Sequence, residues 1–395
     1  MIHFKTHIKF CNGCYVENKI YFANLTFNGL FYIDLEDFSL HFVQRFFCEA
    51  LSSSVYSLVN IVDNKDLYFF PHNSDRIIRY NIEKQREWVL PLRGFCGRYF
   101  GTAEVIYWNH KVYIFPIVLK KGIYILDLQS QNVVKDKSLS GLFADTDFSC
   151  VNVFFVKDKC ALLSLDNSNQ LVEVDLETKA ITGFVTLPEA IKIYTVCFDG
   201  EHYWILQQET TDIYEWDREH GTLQLYTNYN SEHMVSRPYS NLIFLEDEIL
   251  VLNCSLQSIM RINKDKKIVE SIGAFPEGFR TVNSRFRGWP ICDGFMVLDD
   301  KVLLYPCWGN MLLVYDLKSK ELTGKEIVVT DEGLPYLCEV VDEIFSGEEQ
   351  NVERDELETV ELFVHAVSAG QETGRIHKAD KIGKMIYHKI EDRDL

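Results

Sequence analysis

The sequence predicts an all-β fold, a seven-bladed β-propeller of four-stranded antiparallel blades, with a short C-terminal helical segment. An aliphatic–aromatic run ending in Asp or Asn returns seven times, at steps of 47, 46, 48, 42, 46 and 53 residues. Each run follows two other apolar segments that are separated by polar turns. A repeat period of about 40 to 50 residues built from strands and turns is typical of propellers, with one blade per repeat. The residues that end the runs are Asp34, Asn81, Asp127, Asp175, Asp217, Asn263 and Asp316.

The second repeat shows the four strands of one blade in order. Residues 55–62 are an apolar run, residues 67–70 form the next strand, and residues 76–82 and 87–92 form the third and fourth. The first three strands are nearly continuously apolar, as expected for strands that are covered on both faces. The fourth strand alternates and carries charge, which is typical of an outer edge.

Polar turns recur at two positions of every repeat. The Asp or Asn that ends each third strand is predicted to accept a backbone N–H two residues further on, which closes an Asx turn. We therefore assign these seven residues a structural role and not a catalytic one. Tight polar turns join the first two strands, and their Asp, Asn and Gly residues suit hairpins. These turns are residues 17–19, 63–65, 109–111, 157–159, 199–201, 246–248 and 299–301.

The repeats predict a propeller over residues 1–335 and a C-terminal extension over residues 336–395. The seventh repeat completes its own fourth strand at residues 322–329, and the first begins near Gly13. Closure of the disc then depends either on packing between blade faces or on Met1–Lys5 joining the last blade.

Two short amphipathic helices are predicted in the extension, because apolar residues recur there with helical spacing. The helices are expected to cap the propeller or to dock a protein partner. Their apolar residues are Val360, Phe363, Val364 and Val367 in the first helix, and Ile382, Met385, Ile386 and Ile390 in the second.

Composition limits the classes of partner. The formal net charge is −18, from 40 basic and 58 acidic residues. Nucleic acid and anionic membranes need a basic surface, so neither is expected as a partner. The N-terminal residues 1–10 contain no apolar core of a signal peptide, and the 11 cysteines are predicted to be reduced thiols. A cytoplasmic location follows from these two expectations.

Motifs for catalysis or metal binding are not found in the sequence. Cys11 and Cys14 form a single CxxC pair, and no second pair or spaced His pair completes a zinc site. A turn at the start of the first blade is the favoured interpretation of this pair. The sequence also contains no phosphate-binding loop and no dinucleotide fingerprint. We therefore predict no metal and no cofactor.

The repeats resemble, in period, the kelch and WD-type propeller superfamily. The double glycine of kelch repeats is missing, and Trp216-Asp217 is a single WD dipeptide. A propeller followed by the tail 382–390 is also similar to propeller proteins of bacterial Firmicute gene clusters. The resemblance implies a propeller fold with a helical tail, and it implies no activity.

The topology of a propeller predicts where a ligand binds. Loops between second and third strands emerge on the same face as the connections between blades, around the central channel, and ligand sites tend to lie there. Arg, Trp, Tyr and His residues are concentrated in these loops. Arg offers a fork of donors to carboxylate or phosphate, and aromatic rings offer stacking surfaces. The candidate ligand-binding residues are His72, Arg98, Tyr99, Arg237, Tyr239, Arg285, Arg287, Trp289 and Trp308.

Two function classes are consistent with this rim. The first is a cytosolic binding or scaffold module for a small anionic ligand, a glycan or a peptide. The alternative is a propeller enzyme, a lyase or hydrolase or a tailoring enzyme for a natural product or glycan, acting on a small anionic substrate. The arginines could instead pair with acids such as Asp147, Glu189 and Glu232 and hold blades together. The fold does not choose between these classes.

Overall fold

The computed structural model describes residues 12–24, 29–46, 48, 55–62, 65–95, 97, 99–146, 148–157, 159–166, 168–228, 238–253, 258–279, 291–306 and 309–330. The chain divides into two compact units, residues 1–329 and residues 330–395. Only Thr330 of the second unit is described, so the two C-terminal helices remain a prediction. No helix within the described ranges is long and apolar enough to cross a membrane.

The described strands form seven sheets, each with four consecutive antiparallel strands, which confirms the predicted propeller. Blade 1 contains β1 (Cys14–Val16), β2 (Lys19–Ala23), β3 (Gly29–Asp34) and β4 (Ser39–Arg45). Blade 2 contains β5 (Tyr56–Val62), β6 (Asp66–Pro71), β7 (Arg76–Asn81) and β8 (Arg86–Pro91). Blade 3 contains β9 (Thr102–Trp108), β10 (Lys111–Pro116), β11 (Tyr124–Asp127) and β12 (Asn132–Lys135). Blade 4 contains β13 (Cys150–Lys157), β14 (Cys160–Leu165), β15 (Gln170–Asp175) and β16 (Ala180–Thr186).

The remaining three blades continue the same order. Blade 5 contains β17 (Ile193–Phe198), β18 (Tyr203–Gln207), β19 (Ile213–Asp217) and β20 (Thr222–Tyr226). Blade 6 contains β21 (Tyr239–Phe244), β22 (Ile249–Asn253), β23 (Ser258–Asn263) and β24 (Ile268–Ala274). Blade 7 contains β25 (Cys292–Val297), β26 (Lys301–Pro306), β27 (Met311–Asp316) and β28 (Leu322–Glu326). A 3-10 helix (Leu119–Lys121) and α1 (Lys137–Gly141) lie in the connections of blade 3 and after it.

The Asp and Asn residues that end the third strands form the predicted turns. In every blade the side-chain oxygen accepts a backbone N–H two or three residues further on, for example from Gln129 and Ser130 to Asp127 at 3.1 and 2.8 Å. The residue four positions after each of them has a positive φ, between 48° and 65°. The structural role of the seven acids and amides is therefore confirmed. The positive-φ residues are Phe38, Gln85, Gln131, Lys179, Gly221, Lys267 and Lys320.

The core is formed by the faces of neighbouring blades. Side chains alternate along each strand, so each blade presents one set to the preceding blade and another to the next. In β2, for example, Tyr21 and Ala23 pack against blade 2, whereas the buried Ile20 and Phe22 lie on the other face. A large apolar side chain buried in this way contributes about 1.5 to 3 kcal/mol.

Blade 7 is joined to blade 1 by a short strand after β28. This strand, β29 (Val328–Val329), pairs in parallel with β4, and the N–H of Val328 donates to the carbonyl of Phe38 at 3.0 Å. The prediction that residues 322–329 form one strand of blade 7 is wrong at its end. Ile327 still follows the register of β28, because its N–H donates to the carbonyl of Asn310 at 3.3 Å. Since β27 begins only at Met311, Val328 and Val329 have no further partner on that strand and pair with β4 instead.

An equivalent contact follows blade 5. There Thr227, just after the outer strand β20, forms a parallel bridge to Ile268 in the outer strand of blade 6. The contact that joins blade 7 to blade 1 is therefore of the same kind as the outer-edge contact between blades 5 and 6. The alternative closure through Met1–Lys5 lies outside the described residues.

Candidate functional site

The blades expose two different faces around the channel. We call the face with the hairpins between first and second strands and the Asx turns the hairpin face. The opposite face carries the loops between second and third strands and the connections between blades, and we call it the loop face. First strands of consecutive blades lie beside one another, as β9 and β13 do, and so surround the channel.

A β-bulge marks the loop-face end of the first strand in six blades. In each case one residue has no partner on the second strand, so that two residues oppose one. Bulges of this kind twist a strand locally and redirect a side chain, and they are frequent beside binding sites. Repeated six times, they surround the loop-face mouth of the channel. The unpaired residues are Ser57, Ala103, Val151, Tyr194, Ser240 and Asp293.

Two of the predicted rim residues meet on the loop face between blades 2 and 3. The rings of His72 and Tyr99 are in edge-to-face contact, with centroids 5.0 Å apart and an interplanar angle of 89°. The ammonium group of Lys121 lies 4.0 Å from the centroid of the Tyr99 ring. This arrangement is a cation–π contact on a ring that is 41% exposed. We call His72, Tyr99 and Lys121 the rim cluster.

The fold holds the rim cluster through backbone contacts. Lys121 ends the 3-10 helix, which the fully buried Leu119 anchors to the core. Its ammonium donates to the carbonyls of Tyr99 and Phe100, at 2.7 and 3.2 Å. The N–H of Gly101 donates to the carbonyl of His72 at 2.9 Å, which ties the two loops together.

Gly101 is required at its position. Its φ of 67° favours glycine, and a Cβ there would lie 2.8 Å from Cζ of Tyr99. A side chain would therefore displace the Tyr99 ring from the cluster.

Electrostatics distinguish Lys121 from two other cations on this face, Arg76 and Lys192. Arg76 pairs with Asp75 at 2.6 Å and Lys192 pairs with Glu209 at 3.0 Å. Lys121 forms no ion pair with a carboxylate of the described residues, and neutral carbonyls are its hydrogen-bond acceptors. Burial lowers the pKa of Lys121 and raises the pKa of Tyr99. An anion that reached this rim would meet a positive charge that no described carboxylate neutralises.

The other predicted site residues fall into two groups. Tyr239, the first residue of β21, has no exposed surface, and its hydroxyl accepts a hydrogen bond from Asn228 at 2.9 Å. It lies beneath the loop face and can shape a site there only from below. The remaining predicted residues lie outside the described part of the chain, and they are Arg98, Arg237, Arg285, Arg287, Trp289 and Trp308.

Sequence reasoning did not select Lys121 or the bulge residues. Lys121 was one of two adjacent lysines in a loop, and only its position over Tyr99 singles it out. The bulged residues lie 23 or 24 residues before the Asp or Asn of their blade, so their position relative to that residue is nearly constant in the sequence. Their residue types differ, from Tyr194 to Ser240, so no composition signal accompanies the spacing.

Two cavities on the hairpin face are lined by charged side chains, and several of these are paired with one another. One, of about 350 Å³, is lined by residues that include Glu248 and Arg261, and the other, of about 330 Å³, includes Glu215. Glu248 accepts from the Tyr315 hydroxyl and from Lys320, both at 2.9 Å, and so joins blades 6 and 7. Glu215 accepts from the Tyr226 hydroxyl at 2.7 Å. These acids serve contacts within and between blades.

No model of a known family matches the sequence. No curated protein is significantly similar to it in sequence. Solved structures share the fold. Virginiamycin B lyase from Staphylococcus aureus is similar with a TM-score of 0.56 and 9% identity, over 77% of this chain and 94% of that chain. Streptogramin B lyase is similar with a TM-score of 0.56 and 11% identity, over 77% and 92% of the two chains.

Longer proteins share the fold as well. The extracellular domain of a hybrid two-component system of B. thetaiotaomicron is similar with a TM-score of 0.56 and 14% identity, over 78% of this chain. The chain spans only 38% of that domain, and 48% of a second extracellular domain from the same organism. Identities this low establish a shared propeller fold and carry no activity across.

Proposed function

We propose that this propeller is a binding module that holds a small anionic ligand, an acidic glycan or a peptide carboxylate at the loop-face mouth of its channel. The observation that carries the proposal is the rim cluster. A lysine with no described carboxylate partner lies over an exposed Tyr ring, and that ring contacts a His, at the face where six first strands bulge.

Charge balance favours binding at this position over repulsion. A charge-assisted hydrogen bond contributes about 1.5 to 3 kcal/mol where water is excluded. The net charge of −18 repels anions at long range. Physiological salt screens that repulsion beyond about 8 Å. A ligand inside the mouth therefore responds mainly to the local cations.

The rest of the predicted rim belongs to the same proposal. Arg98, Arg237, Arg285 and Arg287 would add bidentate donors around the ligand, and the two tryptophans, at positions 289 and 308, would add stacking surfaces. Tyr239 would support the site from beneath, because its hydroxyl is already held by Asn228.

A calorimetric titration with citrate and glucuronate tests the proposal. Lys121→Gln should weaken the binding of these anions by about 10- to 100-fold, the equivalent of one charge-assisted hydrogen bond. Lys318→Gln is the matched control, because it removes the same charge from an exposed turn on the hairpin face. Equal affinities for the wild type and Lys121→Gln, or no binding of either anion, would contradict the proposal.

The second candidate is an enzyme at the same mouth, a lyase or hydrolase or a tailoring enzyme for a glycan or natural product. Two lyases share the fold over nearly their whole length, and His72, whose ring contacts that of Tyr99, offers a general base. His72→Ala separates the two candidates. An enzyme would lose turnover of an anionic substrate and keep substrate binding, whereas a binding module would show no turnover in either form.

A cytosolic location and a partner for the C-terminal helices are also parts of this proposal. They rest on the sequence alone, the location on 11 cysteines that are predicted to be reduced thiols and the partner on the helical spacing after residue 355. Cell fractionation with an antibody against the chain tests the location, and an extracellular pool would contradict it.

A further inference from the structure

Each first strand places an apolar residue at one common position next to the hairpin face. In each blade this residue pairs with a residue of the second strand. That second-strand residue pairs in turn with the third-strand residue that immediately precedes the Asp or Asn of the turn. All seven blades share this register. We call the set the apolar collar, and its members are Tyr15, Ile61, Tyr107, Phe155, Phe198, Phe244 and Val297.

Several collar side chains are open to solvent. Tyr107 is 54% exposed, Val297 is 46% exposed and Tyr15 is 36% exposed. Phe198 and Phe244 are half-buried against the preceding blades. Because first strands surround the channel, the seven collar positions encircle its hairpin-face mouth. Apolar side chains that cluster on an exposed surface are typical of an interaction site.

Acidic residues follow the collar in three consecutive blades. The hairpin turns after Phe198, Phe244 and Val297 contain seven acids and one lysine. Two of the acids, Asp199 and Glu248, are bonded internally. The other five are exposed and form no ion pair within the described residues, and we call them the acidic arc. They are Glu201, Glu246, Asp247, Asp299 and Asp300.

We propose that the apolar collar and the acidic arc together form a docking surface for a basic amphipathic helix of a partner protein. The apolar stripe of such a helix would cover Tyr107 and Val297 at the mouth. Its Lys or Arg residues would lie over the acidic arc of blades 5 to 7, whose charge is complementary. Nucleic acid carries many negative charges, unlike the basic helix, and the same arc therefore repels it.

This surface is separate from the proposed anion site. The rim cluster and the bulges lie at the loop-face ends of the first strands, and the collar lies at their opposite ends. A partner on the hairpin face therefore leaves the loop-face mouth open to a small ligand.

Fluorescence anisotropy with a labelled peptide tests the proposal on the full chain. The probe is a helical peptide of about 14 residues, four turns, with Leu on one face and Lys on the other. Tyr107→Ser should weaken its binding by roughly tenfold, as expected when an aromatic anchor is lost. Asp247→Asn with Asp299→Asn should weaken it as well, and raising the salt should reduce the effect of those two substitutions.

Matched controls make the result specific to this surface. Phe184→Ser removes an aromatic ring that is 57% exposed on the outer strand of blade 4. Glu189→Gln removes an exposed carboxylate from the connection between blades 4 and 5. Both controls should bind the peptide like the wild type, and circular dichroism should show every variant folded.

Four outcomes would overturn the proposal. The wild type does not bind the Leu–Lys peptide, or a Leu–Glu peptide of the same pattern binds equally well. Alternatively, Phe184→Ser weakens binding as much as Tyr107→Ser. Finally, light scattering shows a dimer that Tyr107→Ser dissociates, in which case the collar is an interface between two copies of this chain.

Discussion

Asp199 is expected to stabilise blade 5 by satisfying a buried tryptophan. The indole N–H of Trp204, which has no exposed surface, donates to the Asp199 carboxylate at 2.8 Å. The other carboxylate oxygen accepts the backbone N–H groups of Glu201 and His202, at 2.9 and 2.7 Å. Asp199→Ala removes all three acceptor contacts and leaves the indole N–H without a partner inside the blade interface.

The expected loss of stability follows from the Trp204 indole N–H, which the substitution leaves without an acceptor. A buried polar group without a partner costs about 1 to 3 kcal/mol, and a hydrogen bond to a charged acceptor contributes about 1.5 to 3 kcal/mol. These two figures describe the same bond, so we expect Asp199→Ala to lower the free energy of unfolding by about 2 to 3 kcal/mol. For a folded unit that spans residues 1–329, that corresponds to a fall in Tm of roughly 3 to 4 °C.

A double-mutant cycle isolates the contact. Trp204→Phe removes the indole donor, so Asp199→Ala in that background leaves no buried N–H without an acceptor. In that background it should therefore lower the free energy of unfolding by about 1 to 2 kcal/mol less than in the wild type. Urea unfolding of the four proteins measures the coupling, and Asp247→Ala, in the exposed turn of blade 6, is the control. A coupling below about 0.5 kcal/mol, within the additivity error of independent sites, would refute the reasoning.

The acid dependence of stability adds a second readout. Burial alone would raise the pKa of Asp199, but the hydrogen bonds from His202, Trp204 and Glu201 lower it overall. A lowered pKa in the folded state gives stabilisation that is fully present above the unfolded value of about 3.9. It is lost as the pH falls through the folded pKa. The difference between the wild type and Asp199→Ala should therefore narrow in acid.

Three further outcomes are expected. Val328→Pro, which removes the N–H donated to Phe38, should lower the Tm by a few degrees in calorimetry, and an unchanged Tm would show that this strand is dispensable for closure. His220 should titrate above the ordinary His value of about 6.5 in NMR, because its hydrogen bond to Asp217 raises its pKa, and the shift should vanish in Asp217→Asn. Any stabilisation from that pair is present at low pH and is lost as the pH rises through the raised pKa. Limited proteolysis should cut first at residues 346–354, and a first cut inside a blade would contradict the proposed boundary.

The repeat and its turns could be predicted because Asp and Asn bond their own backbone. Asp127 and its six equivalents carry that signal in the residue itself. The positive φ four residues later could not be predicted in the same way. Glycine occupies it only in blade 5, and residues such as Phe38 and Lys320 adopt it because the turn imposes it.

Other features depend on contacts between blades, which no local pattern records. Residues 322–329 are one continuous segment in sequence, yet its last two residues pair with β4 of blade 1, a partner that is remote in sequence. Tyr239 looked accessible because it follows Arg237 and Pro238 in a loop, but β21 starts at the tyrosine and buries it. The pairing of His72 with Tyr99 needed two loops from different blades to meet.

The central claim is that the loop-face mouth binds an anion, and a crystal structure of the protein grown with citrate tests it most directly. The account predicts citrate density on the loop face, with a carboxylate within hydrogen-bond distance of Lys121 or of Arg98, Arg237, Arg285 or Arg287. The density should be absent from crystals of Lys121→Gln grown in the same way. A loop face in which these arginines are all paired with carboxylates and no cavity remains would contradict the claim, as would citrate bound only on the hairpin face.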